Sequence, residues 1–439
     1  MPRPANGTSS RFWLIGALTV ASFGITLWVF YPGVMTYDAK FVYEDIAKGF
    51  RGDWQSPVLT SLWALIDPLA SGSASMFLLM AILYWLAFGL LALAAVSRSM
   101  WLSLILVLLA LSPPAFLFVG IIWRDMLFAN TWLLAAALCF VTADCKTRLR
   151  VPVQVVALAL VAFGLLLRPN ALIAAPVLAS YIVWPAQFRW KRAAILFVPA
   201  VLALFGLVQA VYYGALGATR QNPLQSIMVF DLGGVSHFAK ENQYPVTWTE
   251  PELQQLLNNC YRPTEWDIYW RLEPCQFVMR KVENEEKLFG TAAIPQAWAR
   301  ALAHHPIAYL QHRTAFFWNF LAGDNLTLWT HDVDEPSKLP LAGRPSFVAV
   351  AAIDHALKPT PLLRVGSWLL ICLTVCGIGW RRRATPAGDF ALGVCGSAAI
   401  YTLTFFAVGV ASDFRYAYWS VLAGIGGAIV VALRPASAK

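Results

Sequence analysis

The chain has 439 residues, of which 59% are hydrophobic and 13% are charged, and its mean hydropathy is +0.59. Apolar runs of about twenty residues recur along it, which is more than a soluble core needs and excludes a soluble globular protein. The basic residues behind the net charge of +9 are not gathered in one patch, so they do not indicate a nucleic-acid partner.

These apolar runs predict an all-α polytopic membrane protein with about ten transmembrane helices. The first run, Phe12 to Phe30, is longer than the core of a signal peptide and lacks a small-x-small cleavage site, which favours a retained helix. The predicted spans are 12–30, 76–97, 101–119, 126–143, 151–167, 170–187, 193–213, 365–380, 390–411 and 416–433.

Basic residues are distributed unequally between the two ends of these spans. The short turns on one side hold only Arg124, Arg168 and Arg415. By the positive-inside rule this side is the outer one, and both termini are predicted to be cytoplasmic. The inner segments hold fourteen basic residues, namely Arg3, Arg11, Arg98, Lys146, Arg148, Arg150, Arg189, Lys191, Arg192, Arg381, Arg382, Arg383, Arg434 and Lys439.

Two long hydrophilic segments interrupt the pattern of short turns, and both are predicted to be outside. Residues 31–75 form a first outer loop within an N-terminal transmembrane module, 1–213. Residues 214–364 form a large outer loop, and residues 365–439 hold the C-terminal transmembrane helices. Because the substantial hydrophilic segments share one face, we expect any chemistry to take place there.

The first outer loop carries the signals of two short amphipathic helices. Thr36 is a suitable N-cap and Gly49 a natural stop for the first helix. Ser56 and Pro57 are suited to the N-cap and first position of the second. Such helices lie in the membrane interface, so the pair is predicted to frame a groove between membrane and solvent.

The large outer loop also shows helical periodicity. Residues 250–260 and 295–321 repeat apolar positions at helical spacing, and Pro306 interrupts the second segment. We expect this second segment to lie along the membrane surface as a half-embedded lid. Cys260 and Cys275 fall in the same loop, where a disulfide is compatible with an oxidising compartment, although spacing alone does not decide the pairing.

Several residues of the first outer loop are candidates for chemistry. Asp38 follows the start of the first interfacial helix, where an ionised carboxylate can accept a proton from an incoming hydroxyl, but spacing alone favours an ordinary helix-start acid. Asp53 has the same two interpretations. Trp54 is either a platform for a sugar ring or an interface anchor. Lys40 is a candidate phosphate-binding residue.

Three short outer turns repeat an arginine beside polar or acidic groups. They are Trp123-Arg124-Asp125, Arg168-Pro169-Asn170 and Asp413-Phe414-Arg415-Tyr416. One such turn is explained by pairing between its own charges. Three on one face, close to the hydrocarbon region, indicate an anion site in which arginine binds phosphate through its planar fork.

Cofactor motifs do not stand out in the sequence. The six histidines all fall in the large outer loop without close metal-ligand spacing, so no zinc site is expected. No Walker loop or dinucleotide fingerprint stands between a strand and a helix, which disfavours a nucleotide-driven activity. No cofactor is required, and a divalent metal is compatible with the chain but not indicated.

The architecture and several short motifs resemble the GT-C superfamily of integral membrane glycosyltransferases, especially the bacterial protein mannosyltransferase and aminoarabinose-transferase families. TYDAKFVYEDI resembles their first-loop acidic motif, DWQSPV their His-Pro-Pro stretch, and IIWRDMLF the turn after the third span. SDFRYAYW resembles the Arg-Tyr before a late span. The chain departs at Gln55-Ser56-Pro57, where relatives often have His-Pro-Pro, so a histidine has no role there.

The resemblance implies a sugar donor on a polyprenyl phosphate or pyrophosphate, a glycan, lipid or protein acceptor, and transfer at the outer face of a bacterial inner membrane. It assigns Asp38 as the general base, with Asp125 or Asp53 in support. Two alternatives stay open. A surface-polysaccharide polymerase or ligase also uses outer-face arginines. A lipid-linked sugar flippase or transporter would place its charges near the midplane of the membrane.

Overall fold

A computed structural model of the chain describes residues 6–143, 147–185, 187, 189–271, 273–325, 327–328, 341 and 343–433. Within these ranges the protein is helical, and strand pairing is limited to three isolated β-bridges. The helices of the N-terminal part are α1 Asn6–Phe30, α2 Tyr37–Lys48, α3 Pro57–Ile66, α4 Ser73–Val96, α5 Met100–Ala110, α6 Pro113–Phe116, α7 Arg124–Thr142, α8 Thr147–Leu167, α9 Ala175–Val183 and α10 Trp190–Gln209.

The remaining helices lie in the segment predicted as the large outer loop and in the C-terminal part. They are α11 Leu224–Ala239, α12 Glu250–Asn258, α13 Phe277–Met279, α14 Ala293–His304, α15 Pro306–Ala322, α16 Pro345–Leu357, α17 Val365–Arg381, α18 Pro386–Val408 and α19 Tyr418–Ala432. A π-helical turn, Ala210–Ala215, extends α10, and short 3₁₀ turns include Pro169–Ile173, Trp266–Tyr269 and Phe414–Ala417.

Seven helical segments of the described chain are long and apolar enough to cross a membrane. This supports the prediction of an α-helical integral membrane protein, with seven such helices where ten spans were expected. They are Ser9–Phe30, Ser73–Val96, Arg124–Thr142, Arg148–Leu167, Trp190–Ala215, Pro386–Val408 and Phe414–Ala432.

Of the other three expected spans, two are shorter helices than predicted because of proline, and the third has its predicted length but is short for a membrane span. The span at 101–119 ends as α5 at Ala110, since Pro113 and Pro114 cannot continue a helix that approaches them. The span at 170–187 is a 3₁₀ turn followed by the nine residues of α9, which end before Pro185. At the span 365–380, α17 has 17 residues and reaches only about 26 Å.

Helices α7 and α19 form the centre of the bundle. In each of their spans 83% of the most apolar window is buried, whereas only 6% is buried in the span formed by α10. Helix α7 packs against α4, α8 and α19, and α18 packs against α17, α19 and α9. A helix that is apolar all round can contact protein on one side and lipid on the other. Its sequence therefore has no polar face that would distinguish the two sides.

Two basic residues predicted to be at inner ends lie far from the arginines of the predicted outer turns. The Arg98 guanidinium lies over the Phe140 ring near the end of α7, which is about 28 Å long and begins at Arg124. Arg382 donates to the Val431 carbonyl at the end of α19. Arg98 and Arg382 therefore lie at the opposite ends of α7 and α19 from Arg124 and Arg415. Four of the fourteen predicted inner residues lie outside the described ranges, namely Arg3, Lys146, Arg434 and Lys439.

Both helices predicted in the first outer loop are confirmed with their caps. The Thr36 hydroxyl accepts from the Ala39 backbone N–H at the start of α2, and Gly49 ends this helix with φ of 62°. At this left-handed φ a glycine avoids the steric cost that other residues meet. The Ser56 hydroxyl accepts from the Leu59 N–H, and Pro57 opens α3.

Long-range backbone pairing holds the loops between the helices together. Val34 pairs with Ile121, Gly52 with Thr219, and Glu265 with Ala411. In the last pair the Trp266 N–H donates to the Val410 carbonyl at 2.9 Å and the Ser412 N–H donates to the Thr264 carbonyl at 2.8 Å. These bridges join residues 31–75 to the turn before α7 and to the segment after α10, and they join residues 214–364 to the turn between α18 and α19.

The predicted helices of the large outer loop are present, and Pro306 divides the second into α14 and α15 as expected. Cys260 and Cys275 form a disulfide, with a Cα–Cα distance of 5.5 Å. Whether this region lies on a membrane surface as a lid stays a prediction.

A buried charged cluster joins α11, α14 and α15 to the turn after α18. The Arg313 Nε lies 2.7 Å from Asp231 Oδ1, and both side chains are fully buried. Trp298 donates to the other oxygen of Asp231 at 2.7 Å, and Arg313 Nη1 donates to the Gly409 carbonyl at 2.7 Å. His312 Nε2 lies 3.2 Å from Asp231 Oδ1, and burial lowers the pKa of His312 below its usual value.

We predict that Arg313→Met strongly destabilises the fold, because it leaves the Asp231 carboxylate buried without a cation. The expected loss in the free energy of unfolding is about 3–5 kcal/mol. Unfolding in detergent micelles would be compared with Arg300→Met, at an exposed position on the neighbouring α14. Adding Asp231→Leu should recover part of the loss. Equal stability of Arg313→Met and Arg300→Met would contradict the role of the cluster.

Candidate functional site

One cavity of about 460 Å³ brings together segments from the whole length of the chain. It lies among the start of α2, the turn before α7, the turn after α8, the start of α11, the segment around Trp266 and the turn between α18 and α19. Nine of the ten residues predicted as site residues line it, namely Asp38, Asp53, Trp54, Arg124, Asp125, Arg168, Asn170, Arg415 and Tyr416.

Asp38 stands at the cavity wall in the first turn of α2. Its Oδ2 atom is 2.5 Å from Arg415 Nη1, and its Oδ1 atom accepts a hydrogen bond from Gln55 Nε2 at 3.2 Å. The side chain nevertheless remains 40% exposed, so its carboxylate is accessible from the cavity. Each carboxylate oxygen can accept more than one hydrogen bond, which leaves capacity for a substrate hydroxyl.

Arg415 joins two carboxylates and two aromatic rings. Besides Asp38, its Nε atom lies 3.0 Å from Asp413 Oδ2. Its guanidinium carbon is 4.6 Å from the centre of the Trp123 ring and 5.0 Å from that of Tyr416. Ion pairs and cation–π contacts together fix the plane of this guanidinium.

The two carboxylates on Arg415 have pKa values shifted in opposite directions. Burial raises the pKa of the Asp38 carboxyl, but Arg415 and Arg124 outweigh burial, so the pKa lies below its usual value. At Asp413 burial outweighs Arg415, and the pKa is raised. Environments that separate the pKa values of neighbouring acids are typical of functional sites. The surroundings of Asp38 therefore favour its ionised form more than those of Asp413 do.

Asp125 and Arg168 form a second ion pair in the cavity wall. Arg168 Nη2 lies 2.6 Å from Asp125 Oδ1, and both side chains are almost fully buried. Arg168 Nε also donates to the Tyr401 hydroxyl at 3.4 Å, and its guanidinium carbon is 5.0 Å from the centre of the Tyr416 ring. Asp125 therefore fixes the position of Arg168.

Arg124 differs from the other two arginines because no carboxylate lies within ion-pair distance of it among the described residues. Its Nη1 atom donates to the Trp54 carbonyl at 3.2 Å. It is also the first residue of α7, whose N-cap, Trp123, makes no side-chain capping hydrogen bond. A helix N-terminus with free N–H groups beside an arginine suits a phosphate group.

Asp53 and Trp54 hold the first outer loop to the chain that follows α10. Asp53 accepts hydrogen bonds at both oxygens, from the Tyr213 hydroxyl at 2.7 Å and from the Gln221 N–H at 2.6 Å. The Trp54 ring is 5.9 Å from that of Trp266, centre to centre. Because both Asp53 oxygens are engaged, the contacts favour a positioning role for this carboxylate.

Lys40 is the one predicted site residue that does not line the cavity within the described chain. Its Nζ atom lies 3.8 Å from Glu44 Oε1 along α2. Asp38 and Lys40 are two positions apart, and residues at that spacing point to different faces of a helix.

Several cavity residues were missed by the sequence reasoning. Gln55 was noted only as a departure from a motif, yet its side chain bonds Asp38. The residues Glu265, Trp266, Asp267 and Trp270 line the cavity although they lie far from the other residues in the sequence. The bridge to Ala411 and the packing of Trp266 on Trp54 bring them near. No local signal identifies them. Among the described residues, no three His, Cys, Asp or Glu side chains are grouped to hold a metal ion.

The chain was compared with known proteins in three ways, and no family model, curated protein or solved structure matches it. A functional assignment therefore depends on the contacts in the cavity and on the motif resemblance.

We predict that acid weakens the stabilising contribution of Asp38. Because its pKa is lower in the folded state than the ordinary 3.8, its contribution to stability is present above pH 3.8 and is lost as the pH falls below it. The difference in melting temperature between wild type and Asp38→Asn should therefore shrink in acid.

The matched control is Asp45→Asn on the same helix, where burial raises the pKa of the carboxyl. The contribution of Asp45 to stability is lost as the pH rises, so its difference from wild type should change in the opposite direction. The same trend at both positions would contradict the electrostatic description of Asp38.

Proposed function

We propose that the protein is a GT-C-type membrane glycosyltransferase, which moves a sugar from a polyprenyl phosphate or pyrophosphate to an acceptor at the outer face of a bacterial inner membrane. One observation carries the proposal. Asp38 and the arginines of three separate turns line the same cavity, and these arginines stand at the ends of membrane-spanning helices.

The donor phosphate would bind between Arg124 and the other two guanidinium groups. A lipid anchor confines its phosphate to the depth of the headgroups, which corresponds to the ends of the spans. Arg124 starts one span, Arg168 follows another, and Arg415 is the second residue of a third. Since Arg124 has no ion-pair partner among the described residues, a phosphate can bind it without breaking an existing pair.

Asp38 would act as the general base. The acceptor hydroxyl attacks the anomeric carbon while its proton passes to the Asp38 carboxylate. The bond from the anomeric carbon to the phosphate oxygen breaks, and the electron pair leaves with the phosphate. Arginine stabilises that growing negative charge without titrating, so no acid is needed for the leaving group. The resemblance implies inversion at the anomeric carbon.

The other cavity residues would position this machinery. Asp125 holds Arg168, and Asp53 ties the first outer loop to the segment after α10. The guanidinium carbons of Arg168 and Arg415 are each 5.0 Å from the centre of the Tyr416 ring, so this ring contacts both cations.

The location of the charges favours an enzyme over a transporter. Transport sites are typically near the membrane midplane, at discontinuous helices. Here Arg124, Arg168 and Arg415 are each within two residues of a span end. A surface-polysaccharide polymerase or ligase uses similar arginines, and the dependence on Asp38 separates it from the proposed reaction.

The first test compares sugar transfer by wild type and Asp38→Asn, using purified protein and a panel of polyprenyl-linked sugars. We expect kcat to fall about 10²- to 10⁴-fold, because the base is lost while the arginines stay. Asp45→Asn on the same helix should behave as wild type. Donor consumption that is equal in Asp38→Asn and wild type would refute the assignment, and activity that depends only on the arginines would favour the polymerase or ligase.

The second test concerns the phosphate. Arg124→Gln should raise the KM for the lipid donor about 10- to 100-fold, the effect of losing a hydrogen bond to a charged group. Arg300→Gln, at an exposed position on α14, serves as the control. An unchanged donor KM in Arg124→Gln would exclude this arginine from the phosphate site.

A further inference from the structure

The cavity has a second wall, which the proposed chemistry does not use. The disulfide between Cys260 and Cys275 closes a loop that contains Glu265 through Arg271. The bridge between Glu265 and Ala411 attaches this loop to the turn that carries Asp413. One covalent constraint, the disulfide, and one backbone bridge therefore hold this short segment at the cavity, beside the arginine-lined wall.

Aromatic rings dominate this second wall. Trp266 and Trp270 are stacked, with ring centres 6.1 Å apart and planes inclined by 16°. Trp266 is only 6% exposed and packs on Trp54, whereas Trp270 is 46% exposed although it lines the cavity. Trp266 thus supports Trp270, whose ring is available to a ligand. The electron-rich face of an indole attracts the C–H groups of a sugar ring.

Carboxylates flank the exposed indole. Glu265 and Asp267 both line the cavity and are half-buried. Asp267 pairs with Arg271, while Glu265 has no hydrogen-bond or ion-pair partner among the described residues. An ionised carboxylate only accepts hydrogen bonds, so this wall suits a ligand with many hydroxyl donors.

The charges of the two walls would keep two substrates apart. Arg271 also lines the cavity and pairs with Asp267. Glu265 is therefore the carboxylate of this wall that repels a lipid phosphate, which is attracted to Arg124 on the other wall. A neutral sugar bound at Trp270 meets no such repulsion. Arg415 binds both Asp38 and Asp413, and Asp413 follows the bridge to the aromatic segment, so the general base stands at the junction of the walls.

We propose that the disulfide-closed segment is a carbohydrate-binding wall, on which Trp270 stacks against a pyranose ring of the acceptor and Glu265 and Asp267 accept hydrogen bonds from its hydroxyls. The proposed function underlies only one part of this inference, namely that the bound sugar is the acceptor. The binding itself is independent of transfer.

Binding is tested by saturation-transfer NMR on the full chain in nanodiscs, with a panel of methyl pyranosides and disaccharides. Saturable signals are expected from wild type, with affinity about 2- to 10-fold weaker in Trp270→Ala. Trp318→Ala is the matched control, because Trp318 is 69% exposed on α15 and is not among the described residues that line the cavity. The proposed carbohydrate-binding wall would be refuted if wild type showed no saturable sugar binding, or if Trp270→Ala bound sugar with the same affinity as wild type.

Asp38→Asn separates this inference from the proposed function. It should retain sugar binding while losing transfer. Suppose that sugar binding needs Trp270 but transfer does not depend on Asp38. This result would support the carbohydrate-binding wall and refute the assignment of Asp38 as general base. In steady-state transfer, Trp270→Ala should raise the KM for the acceptor and leave that for the donor unchanged. A rise in the donor KM alone would overturn the assignment of the wall to the acceptor.

Discussion

The contact on which the site depends is the pairing of Arg415 with Asp38, two residues that are 377 positions apart. It joins the first interfacial helix to the turn before the last span, and the same guanidinium holds Asp413. If Arg415 were removed, both carboxylates would lose the cation with which they form an ion pair in the cavity. The pair favours the ionised form of Asp38 and fixes the position of its carboxylate in the cavity wall.

The surroundings of this pair explain why a turn between two membrane helices can hold so defined a geometry. The turn is paired by its backbone to the segment around Trp266, and the Gly409 carbonyl before it accepts from Arg313. Arg313 in turn is compensated by Asp231 in a fully buried cluster. Breaking a buried pair of this kind is costly, so the large outer loop contributes to the site by supporting it as well as by lining it.

The parts of the fold that local chemistry determines could be predicted from the sequence. Thr36 and Gly49 mark the ends of α2 because capping needs only a few neighbouring residues. The unequal distribution of basic residues predicted that Arg124, Arg168 and Arg415 lie on the same side of the helices, and all three line one cavity. The predicted span 101–119 is interrupted in the structure, because hydropathy stays high through Pro113 and Pro114 although α5 ends before them. The pairing of Asp231 with Arg313 and the aromatic wall depend on contacts between distant segments, for which one sequence carries no signal.

The most direct measurement is an experimental structure of the protein with a polyprenyl phosphate bound in nanodiscs. If the two walls have the roles proposed here, the phosphate lies within hydrogen-bonding distance of Arg124, and the adjacent Asp38 carboxylate faces the space where the sugar would be attached. A phosphate bound outside this cavity, or within it but on the Trp270 wall away from the arginines, would contradict the proposed site.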